Sequence, residues 1–66
     1  MKSFNKNLDK SIEMARKLII LADKGEMYSK DNGCVLLYGI MRDCAYKIRD
    51  NAETEKRLHK QSGMWQ

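Results

Sequence analysis

The residues of this 66-residue chain that could do chemistry are two cysteines and a single histidine. Cys34 and Cys44 lie ten residues apart on one predicted helix, so their Cα atoms are about 15 Å apart, beyond the ~7 Å that a disulfide allows. We therefore interpret both as free thiols in a reducing, cytoplasmic setting. Cys34 falls in the first turn of that helix, where the helix dipole could lower the thiol pKa. No histidine is near it in sequence to act as a base.

His59 has the one spacing that suits a metal ligand, because Glu55 lies four residues before it on the same helical face. A zinc site needs three or four protein ligands, so this pair alone indicates an ordinary surface contact. The sequence predicts no catalytic residue, no cofactor and no metal, and hence no enzyme. Metal binding or redox sensing through Cys34, Cys44 or His59 is kept as a third functional hypothesis.

Two stripes of apolar residues at helical spacing define the elements that must position these groups. Steps of three and four residues keep one face of each helix apolar. A polar, glycine-bearing segment separates the stripes, so the chain is predicted to be all-α, an antiparallel two-helix hairpin. The first stripe is Phe4, Leu8, Ile12, Ala15, Ile19 and Ala22, and the second is Cys34, Leu37, Tyr38, Met41, Cys44, Ala45, Ile48 and Ala52.

Local signals set the expected helix ends. Asn5 or Asn7 could cap the first helix, and Gly25 is expected to end it, because glycine tolerates the left-handed conformation after a helix. Ser29 or Asp31 could cap the second helix. The predicted single domain, 1–66, comprises helix 1 (about 5–24), a loop (25–30), helix 2 (about 31–60) and a flexible tail (61–66).

These lengths predict that the second helix is longer than the first. Phe4 should then lie opposite Asn51, and residues 53–60, which are almost all charged, should extend beyond the first helix. This overhang is expected to face another protein. Its predicted partner-facing residues are Glu53, Lys56, Arg57, His59 and Lys60.

Both helices carry more apolar residues than one hairpin can cover. A core at this chain length is marginal, so the surplus predicts self-association, first as a dimer that forms a four-helix bundle. Aspartate at position 36 or 40 is expected to disrupt the assembly. Gly39, beside this surplus, either admits a neighbouring backbone or costs about 1 kcal/mol of helix stability. The predicted self-association residues are Leu18, Ile20, Leu21, Val35, Leu36 and Ile40.

Net charge is +4, but acidic residues interrupt nearly every basic cluster, as expected of a solvated helix face. The longest apolar run has five residues, so no membrane association is expected. The leading hypothesis is a non-enzymatic interaction or regulatory module with a helical protein-binding face. The alternative is a nucleic-acid-binding helical dimer that uses basic and stacking residues of the second helix, namely Arg42, Lys47, Arg49, Lys56, Arg57 and Lys60 with Tyr38 and Tyr46.

Overall fold

The computed structural model describes residues 2–65 and shows two antiparallel helices joined by a short loop. Helix α1 spans Ser3–Tyr28 and helix α2 spans Asn32–Gln61. The hairpin measures 48 × 15 × 12 Å. This confirms the predicted all-α, two-helix hairpin. Over the described residues, neither helix has a stretch that is long and apolar enough to cross a membrane.

Alanines form the contact between the two helices. Ala15 and Ala22 in α1, and Ala45 in α2, are completely buried, and Ala52 is 7% exposed. Each pair is seven residues apart, so the two members lie on the same face, and small side chains let helix axes approach closely. We call these four residues the alanine seam. The larger stripe residues are half-buried (Leu8, Ile12, Ile19, Cys34, Tyr38 and Met41) or exposed (Phe4, Leu37, Cys44 and Ile48).

Helix α1 continues one turn beyond Gly25, so the prediction that this glycine ends the helix is wrong. The ring of Tyr38 packs directly over Gly25, and a Cβ built there would overlap the ring. The glycine is therefore explained by close packing between the helices. As a result, the predicted 25–30 loop shrinks to the three residues 29–31. At the other end, Asn5 lies inside α1 and is no cap.

Residues 53–60 form no overhang, because α1 begins earlier and ends later than predicted. Lys56 Nζ lies 2.9 Å from Asp9 Oδ1. The rings of Phe4 and His59 meet edge to face, with centroids 5.2 Å apart. Phe4 therefore lies beside His59, two turns beyond the predicted neighbour Asn51, and the charged end of α2 packs along the first turns of α1.

Helix α2 ends in a glycine turn that reverses the chain. Gly63 has φ of 76°, a left-handed value that favours glycine. Its N–H donates to the Lys60 carbonyl (3.3 Å), and the N–H of Met64 donates to the His59 carbonyl (2.8 Å). These two bonds are those of a Schellman motif, which satisfies the last carbonyls of a helix. The turn directs Met64 back toward α1.

Part of the predicted tail, residues 61–66, makes defined contacts in the structure. Gln61 is still helical. The Trp65 ring lies over α2, with its centroid 4.9 Å from Lys56 Nζ and 5.5 Å from Lys60 Nζ. Such cation–π contacts are weakly stabilising at exposed sites. Gln66, the last residue of the predicted tail, lies outside the described residues.

Two residues, Ser29 and Asp31, were predicted as possible caps of α2, and the structure shows that Asp31 is the cap. Its Oδ1 accepts the backbone N–H of Cys34 at 2.7 Å. The other candidate, Ser29, instead donates from its hydroxyl to the Gly25 carbonyl (2.6 Å) at the end of α1. The Cys34 N–H bond is the main reason that the pKa of Asp31 is lowered. A hydrogen bond to the ionised carboxylate favours the charged form.

This lowered pKa makes the cap dependent on pH. Since the folded-state pKa is below the unfolded one, the stabilisation is complete above the unfolded value and is lost as pH falls through the folded one. We expect Asp31→Ala to lower the melting temperature at neutral pH. The difference from the wild type should shrink below pH ~3.8. Thermal melts from neutral to acidic pH measure it, and a difference that does not vary with pH would contradict the assignment.

Candidate interaction surface

A buried asparagine connects the two ends of the chain. Asn5 is completely buried, the largest such side chain in the part of the chain that the structure describes. Its Nδ2 donates to the Met64 carbonyl at 2.7 Å, and its Oδ1 lies 2.9 Å from His59 Nδ1. Because the amide nitrogen must face the carbonyl, its oxygen faces the ring, and His59 carries a hydrogen on Nδ1. Sequence reasoning treated Asn5 only as a cap. Its position seven residues before Ile12, within the stripe, was the missed signal.

His59 is held between this amide and the aromatic ring of Phe4. Its side chain is only 19% exposed, and its Nε2 lies 3.9 Å from Glu55 Oε2. Since Nδ1 is occupied by Asn5, only Nε2 faces outward. Across residues 2–65, no group of three or more His, Cys, Asp or Glu side chains is arranged to hold a metal ion. The structure thus places His59 in the packing of the hairpin end.

One edge of the hairpin is held by ion pairs between the helices, and we call it the charged edge. Arg42 reaches both Asp23 (2.9 Å) and Glu26, and Lys56 reaches Asp9. The carboxylates raise the pKa of Arg42, Glu26 more than Asp23. Exposed pairs of this kind add little stability. They show which residues of α1 and α2 lie at the same level, with Arg42 opposite Asp23 and Glu26, and Lys56 opposite Asp9.

The opposite edge is almost free of charge. On each helix, the side that points away from the charged edge is formed by the residue directly before a seam alanine and by the residues four before and three after it. Arg42, which lies on the charged edge, is three residues before Ala45. Continued in steps of seven, this rule selects sixteen positions, of which only Glu55 is charged, although charged residues make up 33% of the chain. We call these positions the apolar face: Phe4, Asn7, Ser11, Met14, Leu18, Leu21, Gly25, Tyr28, Cys34, Leu37, Met41, Cys44, Ile48, Asn51, Glu55 and Leu58.

Large side chains of the apolar face are open to solvent. Met14 is 58% exposed, Leu21 and Leu37 are each 51%, Leu58 is 46% and Ile48 is 43%. They come from both helices and continue along the hairpin. A contiguous apolar patch of this kind typically marks an interaction site, since soluble monomers rarely leave one uncovered.

A cleft at the loop end of the hairpin supports the assignment of the apolar-face positions of both helices to one side. Its volume is about 350 Å³, and its lining includes Leu21, Gly25 and Tyr28 from α1 and Cys34 from α2. These four belong to the apolar face by the seven-residue rule, whereas the rest of the lining lies at its border, in the loop or next to the seam, namely Lys24, Ser29, Lys30 and Tyr38. The structure therefore brings these positions of the two helices to one side.

The six residues predicted for self-association do not share that side. Only two of them, Leu18 and Leu21, belong to the apolar face. Val35 lies seven residues before Arg42, in line with the charged edge, and the other three point outward from the hairpin. Five of the six are 40–65% exposed, and Leu18 is half-buried. Which of the six predicted residues lie together on one surface could therefore be seen only in the structure.

The predicted partner-facing residues also divide into two groups. Lys56 and His59 are used inside the hairpin, through Asp9 and Asn5. Glu53, Arg57 and Lys60 are exposed. Among the basic residues proposed for nucleic acid, three lie beside carboxylates, namely Arg42, Arg49 and Lys56.

The two thiols are free and differ in environment. Cys34 is half-buried and Cys44 is exposed. The pKa of Cys34 is raised, first by its hydrogen bond to Asp31 and then by the charge of that carboxylate. The expectation that the helix dipole would lower this pKa is therefore wrong, because the capping carboxylate is closer and acts in the opposite direction. A raised pKa leaves less thiolate, which is the reactive form.

Comparison of the chain with protein-family models, curated proteins and solved structures finds no match. Function is therefore inferred from the residues and geometry of the hairpin itself.

Proposed function

We propose that the protein is a small non-enzymatic interaction module that works as a homo-oligomer, a dimer in the first instance. One observation carries the proposal. Within residues 2–65, the hairpin fully buries only the alanine seam and Asn5, whereas fourteen large hydrophobic side chains are at least 39% exposed. Packing a second hairpin against the first would give a four-helix bundle, the usual way for such helices to bury their apolar faces.

The energetics of a small chain support association. Burying a leucine or isoleucine side chain contributes about 1.5–3 kcal/mol, and an alanine contributes much less. A chain of this length needs further stabilisation beyond a single small core. The exposed leucines and isoleucines are the largest part of the apolar surface that this hairpin could still bury. A partner that covers them would add the hydrophobic stabilisation that the small alanine seam does not provide.

The charge distribution favours a protein partner over nucleic acid. Arg42, Arg49 and Lys56 have carboxylate neighbours within the hairpin. A phosphate backbone would have to compete with those carboxylates for each of the three. The large side chains Met14, Leu21 and Leu37 of the apolar face are instead open to solvent, so an apolar protein surface could cover them directly.

Light scattering on a sizing column under reducing conditions tests the proposal. We expect a particle of twice the 7.7 kDa chain mass, with the helical circular dichroism of a folded protein. Dilution should produce a reversible fall toward the single-chain mass. A chain that is helical and monomeric at every concentration would overturn homo-oligomerisation, and would direct the search to a different protein as partner.

A further inference from the structure

We infer that the apolar face is the surface on which a second copy of this chain docks, with the same face of both copies in contact. The inference rests on the proposed homo-oligomer and adds the surface it uses. In a two-fold dimer each copy presents the same patch, so the patch must complement itself. A patch whose single charged residue lies near one end meets that condition, because few like charges are brought together.

The composition of the face fits such a contact. Of its sixteen positions, only Glu55 would bring a charge into the interface. That carboxylate lies near the end of the hairpin, 3.9 Å from His59 Nε2, where it keeps a polar neighbour and access to water. Aliphatic and methionine side chains occupy the middle, with the small thiol of Cys44 among them. Charged residues are depleted in the same way at the centres of stable interfaces.

The size of the face fits as well. The hairpin is 48 Å long and 15 Å wide, so one side offers about 700 Å², close to the ~800 Å² per partner of a standard stable interface. The outer sides of the helices offer no comparable surface. There, the exposed hydrophobic residues Ile20, Leu36 and Ile40 alternate with charged ones such as Lys17, Asp43 and Lys47.

An anionic bilayer is the other occupant with suitable chemistry. Lys10, Lys17 and Lys24 follow one another at intervals of seven along the outer border of α1, beside the apolar face. Lysines beside an apolar helical surface are typical of helices that lie in a membrane interface. We favour a second copy because the hairpin needs burial to be stable in water, and a copy supplies it wherever the chain is present.

Two matched pairs of glutamate substitutions test the surface. Leu37→Glu and Leu21→Glu place a charge on the apolar face, whereas Leu36→Glu and Ile20→Glu place it at the adjacent residue, outside the face. All four side chains are similarly exposed, at 48–65%. We expect each face variant to raise the dimer dissociation constant about 1,000-fold, since a two-fold dimer carries the change twice. The neighbouring variants should stay within about threefold of the wild type.

Alkylation of Cys44 in the wild-type protein gives a second readout that does not depend on whether a variant folds. Cys44 is exposed in the single hairpin and lies at the centre of the proposed interface. Its iodoacetamide reaction, located by mass spectrometry of the peptide, should be slow at high protein concentration. It should accelerate on dilution while the helical signal stays constant. A rate that is independent of concentration, across the range where the mass changes, would overturn the assignment.

The outcomes separate this inference from the function on which it rests. A wild-type dimer that Leu36→Glu dissociates and Leu37→Glu does not would move the interface to the outer side, and homo-oligomerisation would stand. A wild-type monomer would overturn both proposals. Sedimentation with phosphatidylglycerol vesicles, at the concentration where the protein is dimeric, tests whether an anionic bilayer occupies the face instead. Binding that depletes the dimer and that Leu37→Glu abolishes would assign the face to a membrane.

Discussion

Asn5→Ala is expected to lower the free energy of unfolding by about 2 kcal/mol, because it removes both hydrogen bonds that a completely buried side chain makes between the two ends of the chain. The Met64 carbonyl loses its donor and His59 Nδ1 loses its acceptor. The loss is large for so short a chain, whose total stability is a few kcal/mol. Urea denaturation followed by circular dichroism measures it, with every variant compared at the same concentration because the proposed association would contribute to stability.

Asn7→Ala is the matched control for that experiment. The same substitution in the same turn of α1 changes helix propensity equally, but the Asn7 side chain is exposed. Its carbonyl, which accepts the Ser11 hydroxyl at 2.8 Å, is retained. Alanine favours a helix over asparagine, so this variant should be unchanged or slightly more stable. Equal destabilisation by both substitutions would show that the Asn5 bonds contribute nothing specific.

Alanine at Gly25 and alanine at Gly39, both inside helices, are expected to have opposite effects. Gly25→Ala would place a methyl group inside the space filled by the Tyr38 ring, whereas a Cβ at Gly39 has nothing within 4 Å. The gain in helix propensity is about 1 kcal/mol at either site, and overpacking typically costs ~1–3 kcal/mol at Gly25. Gly39→Ala should therefore stabilise the hairpin, and Gly25→Ala should destabilise it. Denaturation midpoints of the two variants measure the difference.

A double-mutant cycle assigns the effect at Gly25 to the tyrosine. In a Tyr38→Ala background the overlap is removed, so Gly25→Ala should become neutral or favourable. If Gly25→Ala were equally destabilising with and without the ring, close packing of the two residues would not explain it. The two interpretations of Gly39 left open by the sequence are decided for the single hairpin: nothing among residues 2–65 lies within 4 Å of a Cβ built there, so it is a weak position in the helix.

The hairpin itself could be predicted from sequence because it depends on periodicity alone. The two apolar stripes contained all four seam alanines, and their spacing of seven placed each pair on one face. Which stripe members would be fully buried could not be read from the spacing. Phe4 was expected in the core and is 40% exposed, while its neighbour Asn5 is buried. A straight helix drifts by about 20° per heptad relative to a seven-residue repeat, so spacing counted from Ala15 could not decide whether Phe4 or Asn5 faces α2 in the first turn of α1.

Other features depend on contacts between residues that are distant in sequence. Gly25 carries the signature of a helix end, and only the presence of the Tyr38 ring shows that the helix must continue. Because the first helix was predicted to end before Gly25, it was predicted to be too short, and the charged residues 53–60 of the second helix were therefore expected to extend beyond it. The self-association residues were chosen by hydrophobicity near the loop, which does not distinguish the two sides of one helix. The ion pair between Arg42 and Asp23 shows which side of each helix is the charged edge, and hence which is the apolar face.

The alanine seam has a consequence for how this chain could change over evolutionary time. A hairpin has one internal surface, and here its most buried part consists of four alanines and one asparagine, with a glycine packed under a ring beside them. Substitutions elsewhere leave the approach of the two helices intact, so most positions are free to drift as long as the outer faces keep their character. Descendants of this sequence would share small residues at 15, 22, 45 and 52 and little else. Their kinship would be visible in the spacing of those small residues long after overall sequence identity had faded.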